Sequence, residues 1–119
     1  MQNKIWYLST CTTCKRIMDE LGIGDDFEKQ DIKTSPITAD QIDAMIAQVG
    51  SAEALFSRRA MKFRQRGLHE QDLSEGDYRQ LILEEYTFLK RPVVLINGTY
   101  FVGNSKKVVA AAAGALADS

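Results

Sequence analysis

The chain is poor in residues that staple a fold or hold a metal. Its 119 residues include two Cys, one His and two Pro. One His and two Cys cannot complete the four-ligand N/S set of a zinc site, so no metal is expected. Both cysteines lie in one short window, Cys11-Thr12-Thr13-Cys14. A structural disulfide gains most by closing a long loop, and this pair closes almost none. Neither charge sign prevails: 15 Lys+Arg face 16 Asp+Glu, a net charge of −1. Nothing in that balance calls for direct binding of nucleic acid or an anionic membrane. Long apolar runs are missing as well. Ile5 to Leu8 is too short for the centre of a signal peptide, and Val108 to Ala117 is too short to span a bilayer. The expected compartment is cytoplasmic, where thiols stay reduced. What remains is an ordinary globular composition, 45% apolar and 26% charged, at a length that suits one compact domain able to bury a core without staples.

Periodicity organises that domain. Lys4 to Leu8 reads as a short buried strand. Cys14, Ile17, Met18 and Leu21 then fall at i, i+3, i+4, i+7, one face of a helix ended by Gly22 or Gly24. Phe27 to Ile32 is a weaker, charged strand that suits a sheet edge. A second helix is predicted from Thr38 with Gln41 as its capping-box partner and Ile37 with Ile42 as a staple. Ser51 can cap a short helix into Phe56. Ser57 to Gly67 carries five basic residues and no acid, whereas Leu68 to Glu85 carries six acids and one Arg. Within the latter, Ser74 and Asp77 form a second capping box. Val93 to Ile96 and Thr99 to Val102 flank Asn97-Gly98, a strong hairpin signal, and a closing helix follows through Val108, Val109, Ala112 and Leu116. The order β-α-β, several helices, β-hairpin, α predicts an α/β thioredoxin-like fold. It would have one mixed four-stranded sheet, flanking helices on both faces, and a helical insertion over about residues 38–90 of a single domain 1–119.

C-T-T-C at a strand-to-helix turn has a clear chemical use. Unpaired N–H groups at a helix N-terminus stabilise a thiolate. Cys11, in the turn, is the candidate exposed nucleophile, with Thr10 and Thr12 beside it. Cys14, one turn on and on the apolar stripe, is either a partner that releases a product as a Cys11–Cys14 disulfide or an inert small hydrophobe. In the basic run, Arg64 and Arg66 read as solvated charges paired with the acidic stretch, while one or two of the others can face an anion. Arg91 precedes Pro92 at the head of a core strand, where a cis bond would be a turn feature. His69, in a polar loop, is assigned no catalytic role. Lys106 and Lys107 open the last helix and read as solvated.

Taken in order, Y-L-S-T-C-T-T-C-K-R, L-F-S-R-R-A-M-K-F-R-Q-R-G-L, L-K-R-P-V-V and F-V-G-N resemble the arsenate reductase family of the thioredoxin superfamily. That family includes glutaredoxin-linked arsenate reductases, reductase-like members and Spx-type transcriptional regulators. The resemblance covers nearly the whole chain. It implies a thiol oxidoreductase with Cys11 as the reactive cysteine. Oxyanion-binding arginines would fall on Arg59, or its neighbour Arg58, and on Arg91, and the superfamily's cis proline on Pro92. Arsenate would be attacked by Cys11, held by the arginines and released as arsenite. No cofactor would be tightly bound, and glutathione with glutaredoxin, or thioredoxin, would serve as external reductant. Two departures stand out. Leu8-Ser9-Thr10 replaces the reductases' His-Asn-Pro before the cysteine, and Tyr-Phe-Val-Gly-Asn stands where they place a third arginine. Cys14 matches the Spx-type C-x-x-C instead. That resemblance implies the alternative of a redox-sensing regulator whose partner is the RNA polymerase α subunit.

Overall fold

A computed structural model describes residues 3–118. In chain order the elements are β1 (Lys4–Tyr7), α1 (Thr12–Glu20), β2 (Glu28–Asp31), α2 (Ala39–Val49), α3 (Met61–Gln65), α4 (Glu75–Glu84), β3 (Val93–Ile96), β4 (Thr99–Val102) and α5 (Lys106–Ala117). Short 3-10 turns occupy Glu53–Leu55, Leu68–Glu70 and Tyr86–Phe88. The chain divides into two compact units, Met1–Ser35 with Arg91–Ser119, and Pro36–Lys90.

The first unit holds a four-stranded sheet of order β2-β1-β3-β4. β1 pairs parallel with β2 and antiparallel with β3, and β3 pairs antiparallel with β4. The β3–β4 hairpin turns on Asn97 at φ 50° and Gly98 at φ 84°, the left-handed pair that suits the twist of a two-residue loop. Ile5, Val94 and Phe101 align across three strands and cluster with Phe27, Ile96 and Ala112. Met18 of α1, Leu21 at its C-cap and Leu116 of α5 pack on the same cluster, so both helices of this unit share one face of the sheet. β2 is an edge strand of sequence Glu-Lys-Gln-Asp, and its Glu28 carboxylate pairs with Lys4 Nζ at 2.6 Å. The strand expected over 27–32 is shorter by one residue at each end, Glu28–Asp31, and Phe27 and Ile32 flank it with buried side chains.

The Pro36–Lys90 unit is built by its caps and an aromatic cluster. Thr38 and Gln41 close a capping box on α2, and Ser74 and Asp77 close another on α4. Ser51 Oγ accepts from the Ala54 amide at 3.1 Å, but the segment winds as a 3-10 turn, not the short helix expected. Phe56 lies at the centre of Phe63, Tyr78 and Phe88, with ring centroids 5.0–5.8 Å apart. Asp43 of α2 takes both the Nε–H and an NH2 group of Arg79 of α4. The basic run forms only the five-residue α3. Lys62 on α3 and Arg66 at its C-cap, four residues apart, reach Glu85 and Glu84. The pairing expected for Arg66 is therefore present, whereas Arg64 is exposed and makes no ion pair among the described residues. The physical reason is phase: Arg64 sits half a turn from the Lys62–Arg66 face. Among the described residues, no helix is long and apolar enough to cross a membrane.

Candidate functional site

The site is assembled where β1 gives way to α1. The Cys11 amide donates to the Leu8 carbonyl at 3.0 Å, closing the turn, and Cys11 becomes the N-cap of α1 at φ −93°, ψ 113°. No side-chain oxygen caps this helix end, and of the first-turn N–H groups that of Cys14 is directed at the Cys11 sulfur. Cys14 follows one turn later and is fully buried on the stripe that also buries Ile17. Both cysteines are free thiols, Cys11 half-buried.

Three groups converge on the Cys11 sulfur: the Cys14 backbone N–H, the Cys14 thiol and the Arg91 guanidinium. Partial burial by itself pushes the Cys11 thiol up, but these donors and the charge on Arg91 outweigh it and hold its pKa below the ordinary thiol value. Cys14 is shifted the opposite way. Burial, and the hydrogen bond and charge presented by Cys11, push it up to about 11, although the Leu8 amide and Arg91 act against the rise. Ionisation therefore falls to Cys11 before Cys14, and the ionised pair is a thiolate beside a thiol that donates to it. This is the arrangement in which one sulfur attacks and the other is held in reserve.

Arg91 reaches the site from the far end of the sequence because it stands at the entry to β3, the strand beside β1. The Arg91–Pro92 peptide bond is cis, as the resemblance implies, and Pro92 is buried with its carbonyl accepting from the Gly103 amide at 2.9 Å. Gly103 has φ +95°, a conformation that an L side chain would strain. Thr10 and Thr12 flank Cys11 but are both exposed and contribute no side-chain hydrogen bond among the described residues.

The other candidate cations lie in the Pro36–Lys90 unit, and the two adjacent arginines differ there. Arg58 donates to the Glu53 carboxylate and to Tyr78 Oη at 2.8 Å, and its guanidinium stacks 5.5 Å from the Tyr78 ring centroid. Arg59 is exposed and forms no ion pair or hydrogen bond among the described residues. Of the two, Arg59 is the one available to an external anion. His69 is exposed, 3.7 Å from its neighbour Glu70. Lys106 and Lys107 are exposed at the head of α5. Among the described residues, no group of three or more His, Cys, Asp or Glu could hold a metal ion.

One contact near the cysteines carries no signal in the sequence. The Asp31 carboxylate, at the end of β2, accepts from the Ser9 hydroxyl and amide in the cysteine loop and from the Lys33 amide at 3.1 Å. Only the parallel register, which sets Tyr7 opposite Asp31, brings residues 9 and 31 together.

Comparison with known proteins bears on the family and the fold. In sequence, the chain is 27% identical over 88 residues to the global transcriptional regulator Spx of Lactiplantibacillus plantarum, covering 72% of this chain and 67% of that one. An arsenate reductase from Vibrio cholerae superposes with a TM-score of 0.76 at 17% identity, over 93% of this chain and 97% of that one. An arsenate reductase related protein from Brucella melitensis superposes with a TM-score of 0.68 at 24% identity, over 93% of each chain. These neighbours share the thioredoxin-like fold, a mixed four-stranded sheet with flanking helices. The ArsC family profile matches residues 6–112, from Trp6 in β1 to Ala112 in α5, and on that match the chain belongs to the ArsC family.

Proposed function

We propose that the protein is a cytoplasmic thiol oxidoreductase in which the Cys11 thiolate attacks an oxyanion, with arsenate as the substrate class. The observation that supports this most is the convergence of Arg91, the Cys14 amide and the Cys14 thiol on one sulfur. A cation and two neutral donors stabilise a thiolate there, and the same cation suits an incoming anion. In the proposed step, Cys11 displaces hydroxide from As(V) to form a sulfur–arsenic bond. A second thiol then attacks the Cys11 sulfur. The electron pair of the broken S–As bond stays on arsenic as As(III), and the two sulfurs leave as a disulfide. The second thiol is Cys14 or an external glutathione, and glutathione with glutaredoxin, or thioredoxin, returns the enzyme to its dithiol form. No tightly bound cofactor enters this scheme. Arg91, at the sulfur, is the cation assigned to the anion, and the family resemblance adds Arg59 to that role.

The test is arsenate-dependent consumption of NADPH coupled through glutathione, glutaredoxin and glutathione reductase. Turnover that disappears in Cys11→Ser supports the reading. No turnover at millimolar arsenate refutes arsenate as the substrate and leaves the thiol chemistry to be tested on other oxidants.

A second reading rests on the similarity to Spx together with the second cysteine of C-T-T-C. Here the Cys11–Cys14 pair senses oxidation, and the chain binds the RNA polymerase α subunit without contacting DNA. Co-purification with that subunit in one redox state but not the other supports it, and failure to bind in both removes it.

A further inference from the structure

The Asp31–Ser9 contact is not explained by the needs of the sheet. The β1–β2 ladder is complete without it: Tyr7 stands opposite Asp31, and the Ile32 amide donates to the Tyr7 carbonyl at 2.9 Å. Beyond Tyr7 the backbone leaves the ladder and must turn within four residues to place Cys11 at the helix N-cap. One hydrogen bond, Cys11 amide to Leu8 carbonyl, closes that turn. Ser9 lies inside it, and both of its donors, hydroxyl and amide, go to the same Asp31 carboxylate. The Lys33 amide adds a third donor to the carboxylate at 3.1 Å. These donors hold the Asp31 carboxyl below the usual carboxylate range, so it is ionised wherever the thiolate exists. Leu8, the other end of the turn, sends its own amide to the Cys14 sulfur. The loop that Asp31 grips thus sets the positions of both sulfurs.

We propose that Asp31 is the positioning residue of the cysteine loop: its carboxylate holds Ser9, and through Ser9 it keeps the Cys11 sulfur on the N-cap, against the Cys14 amide and Arg91. This inference rests on the reading of Cys11 as an activated nucleophile. It has a consequence opposite to plain electrostatics. A carboxylate near a thiolate repels it, so neutralising Asp31 by charge alone lowers the Cys11 pKa. If Asp31 acts by position, neutralising it frees the loop, weakens the donors on Cys11 and raises that pKa. Asp31→Asn leaves one accepting oxygen for three donors, whereas Ser9→Ala removes the hydroxyl contact with no change of charge.

The experiment is the pH dependence of iodoacetamide alkylation of the full chain, assigned to Cys11 by peptide mapping, in the wild type, Asp31→Asn, Ser9→Ala and Asp31→Glu. The expected result is a midpoint that rises in both Asp31→Asn and Ser9→Ala and returns toward the wild-type value in Asp31→Glu. The alkylation rate near pH 6 falls with it, by about tenfold for each unit of rise. A midpoint that falls or stays put in either of the first two variants overturns the proposal while leaving Cys11 as the nucleophile. A wild-type midpoint at the ordinary thiol value overturns the nucleophile reading and this inference together. Ser9→Ala alters a single half-buried loop side chain, so it keeps the test open if Asp31→Asn folds poorly.

Discussion

Replacing Arg91 with Met removes a cation hydrogen-bonded to the Cys11 sulfur and keeps much of the side chain's bulk. A hydrogen bond to a charged group contributes about 1.5–3 kcal/mol. Cys11 and Arg91 are each only half-buried, so water screens the pair and a value of about 1 kcal/mol is the better expectation. At about 1.36 kcal/mol per unit this moves the Cys11 pKa up by roughly 0.7 unit. Below both midpoints the thiolate population, and with it the rate of iodoacetamide alkylation, falls about fivefold. Arg91→Lys keeps the charge but not the planar fork and recovers part of the loss. The same shift predicts how stability depends on pH. The folded pKa of Cys11 lies below the unfolded value, so its contribution is fully present above the unfolded thiol pKa and is lost as pH falls through the folded pKa. Arg91→Met therefore costs about 1 kcal/mol more at alkaline pH than at acid pH, measured from urea midpoints. Overlapping alkylation profiles for wild type and Arg91→Met, with unchanged circular dichroism, would refute the assignment of Arg91 to the sulfur. So would a stability difference that does not grow with pH.

Cys14→Ala removes the thiol that donates to Cys11, so the alkylation midpoint of Cys11 rises and mild oxidation no longer yields an intramolecular disulfide by mass spectrometry. The stability change is small, about 1 kcal/mol, because a small buried hydrophobe replaces another. The adjacent arginines separate by readout. Arg59→Ala lowers arsenate-dependent turnover with an unchanged urea midpoint, whereas Arg58→Ala lowers stability by about 1 kcal/mol or less, since its pair with Glu53 is half-exposed. Phe56→Ala opens the aromatic cluster of the Pro36–Lys90 unit and costs about 3–5 kcal/mol, read from the shift in the urea transition.

The parts that the sequence declares are those set by local rules. Both capping boxes, the Asn97-Gly98 hairpin and the Cys14–Ile17 stripe need only residues within a few positions of one another, and each is found where the pattern puts it. Strand order follows from the hydrophobic character of Val93–Ile96 and the polar character of Glu28–Asp31, which sort themselves to the centre and edge of the sheet. The parts that stay hidden depend on register or on competing partners. Asp31 reads as the last residue of a charged edge strand, and only the pairing Tyr7↔Asp31 delivers it to Ser9. Arg58 and Arg59 are indistinguishable in sequence. They part because the Glu53 carboxylate and the hydroxyl of Tyr78, which the fold brings against Phe56, both take Arg58 and not Arg59. Composition alone pairs Arg64 with the acidic stretch, but the phase of a five-residue helix leaves it outside that face.

The opposite shifts of the two cysteines carry a consequence for the order of the proposed steps. Part of what raises Cys14 is Cys11 itself, through the hydrogen bond that Cys14 donates and the charge on the acceptor. Once Cys11 is bonded to a substrate atom it is no longer a thiolate, and both of those contributions vanish. Burial still holds the Cys14 thiol up, but the Leu8 amide and Arg91 are then opposed by burial alone. Cys14 is therefore easier to ionise after Cys11 has reacted than before, and an early attack by Cys14 is suppressed while Cys11 is free. A dithiol with two equally acidic sulfurs would have no such order. This argues for Cys14 as the sulfur that resolves a Cys11 adduct. A slow external thiol then makes the difference measurable: with limiting glutathione, single-turnover loss of the Cys11 adduct persists in the wild type and stalls in Cys14→Ala. Equal rates in the two proteins would assign the resolving step to the external thiol and leave Cys14 as a hydrogen-bond donor in the core.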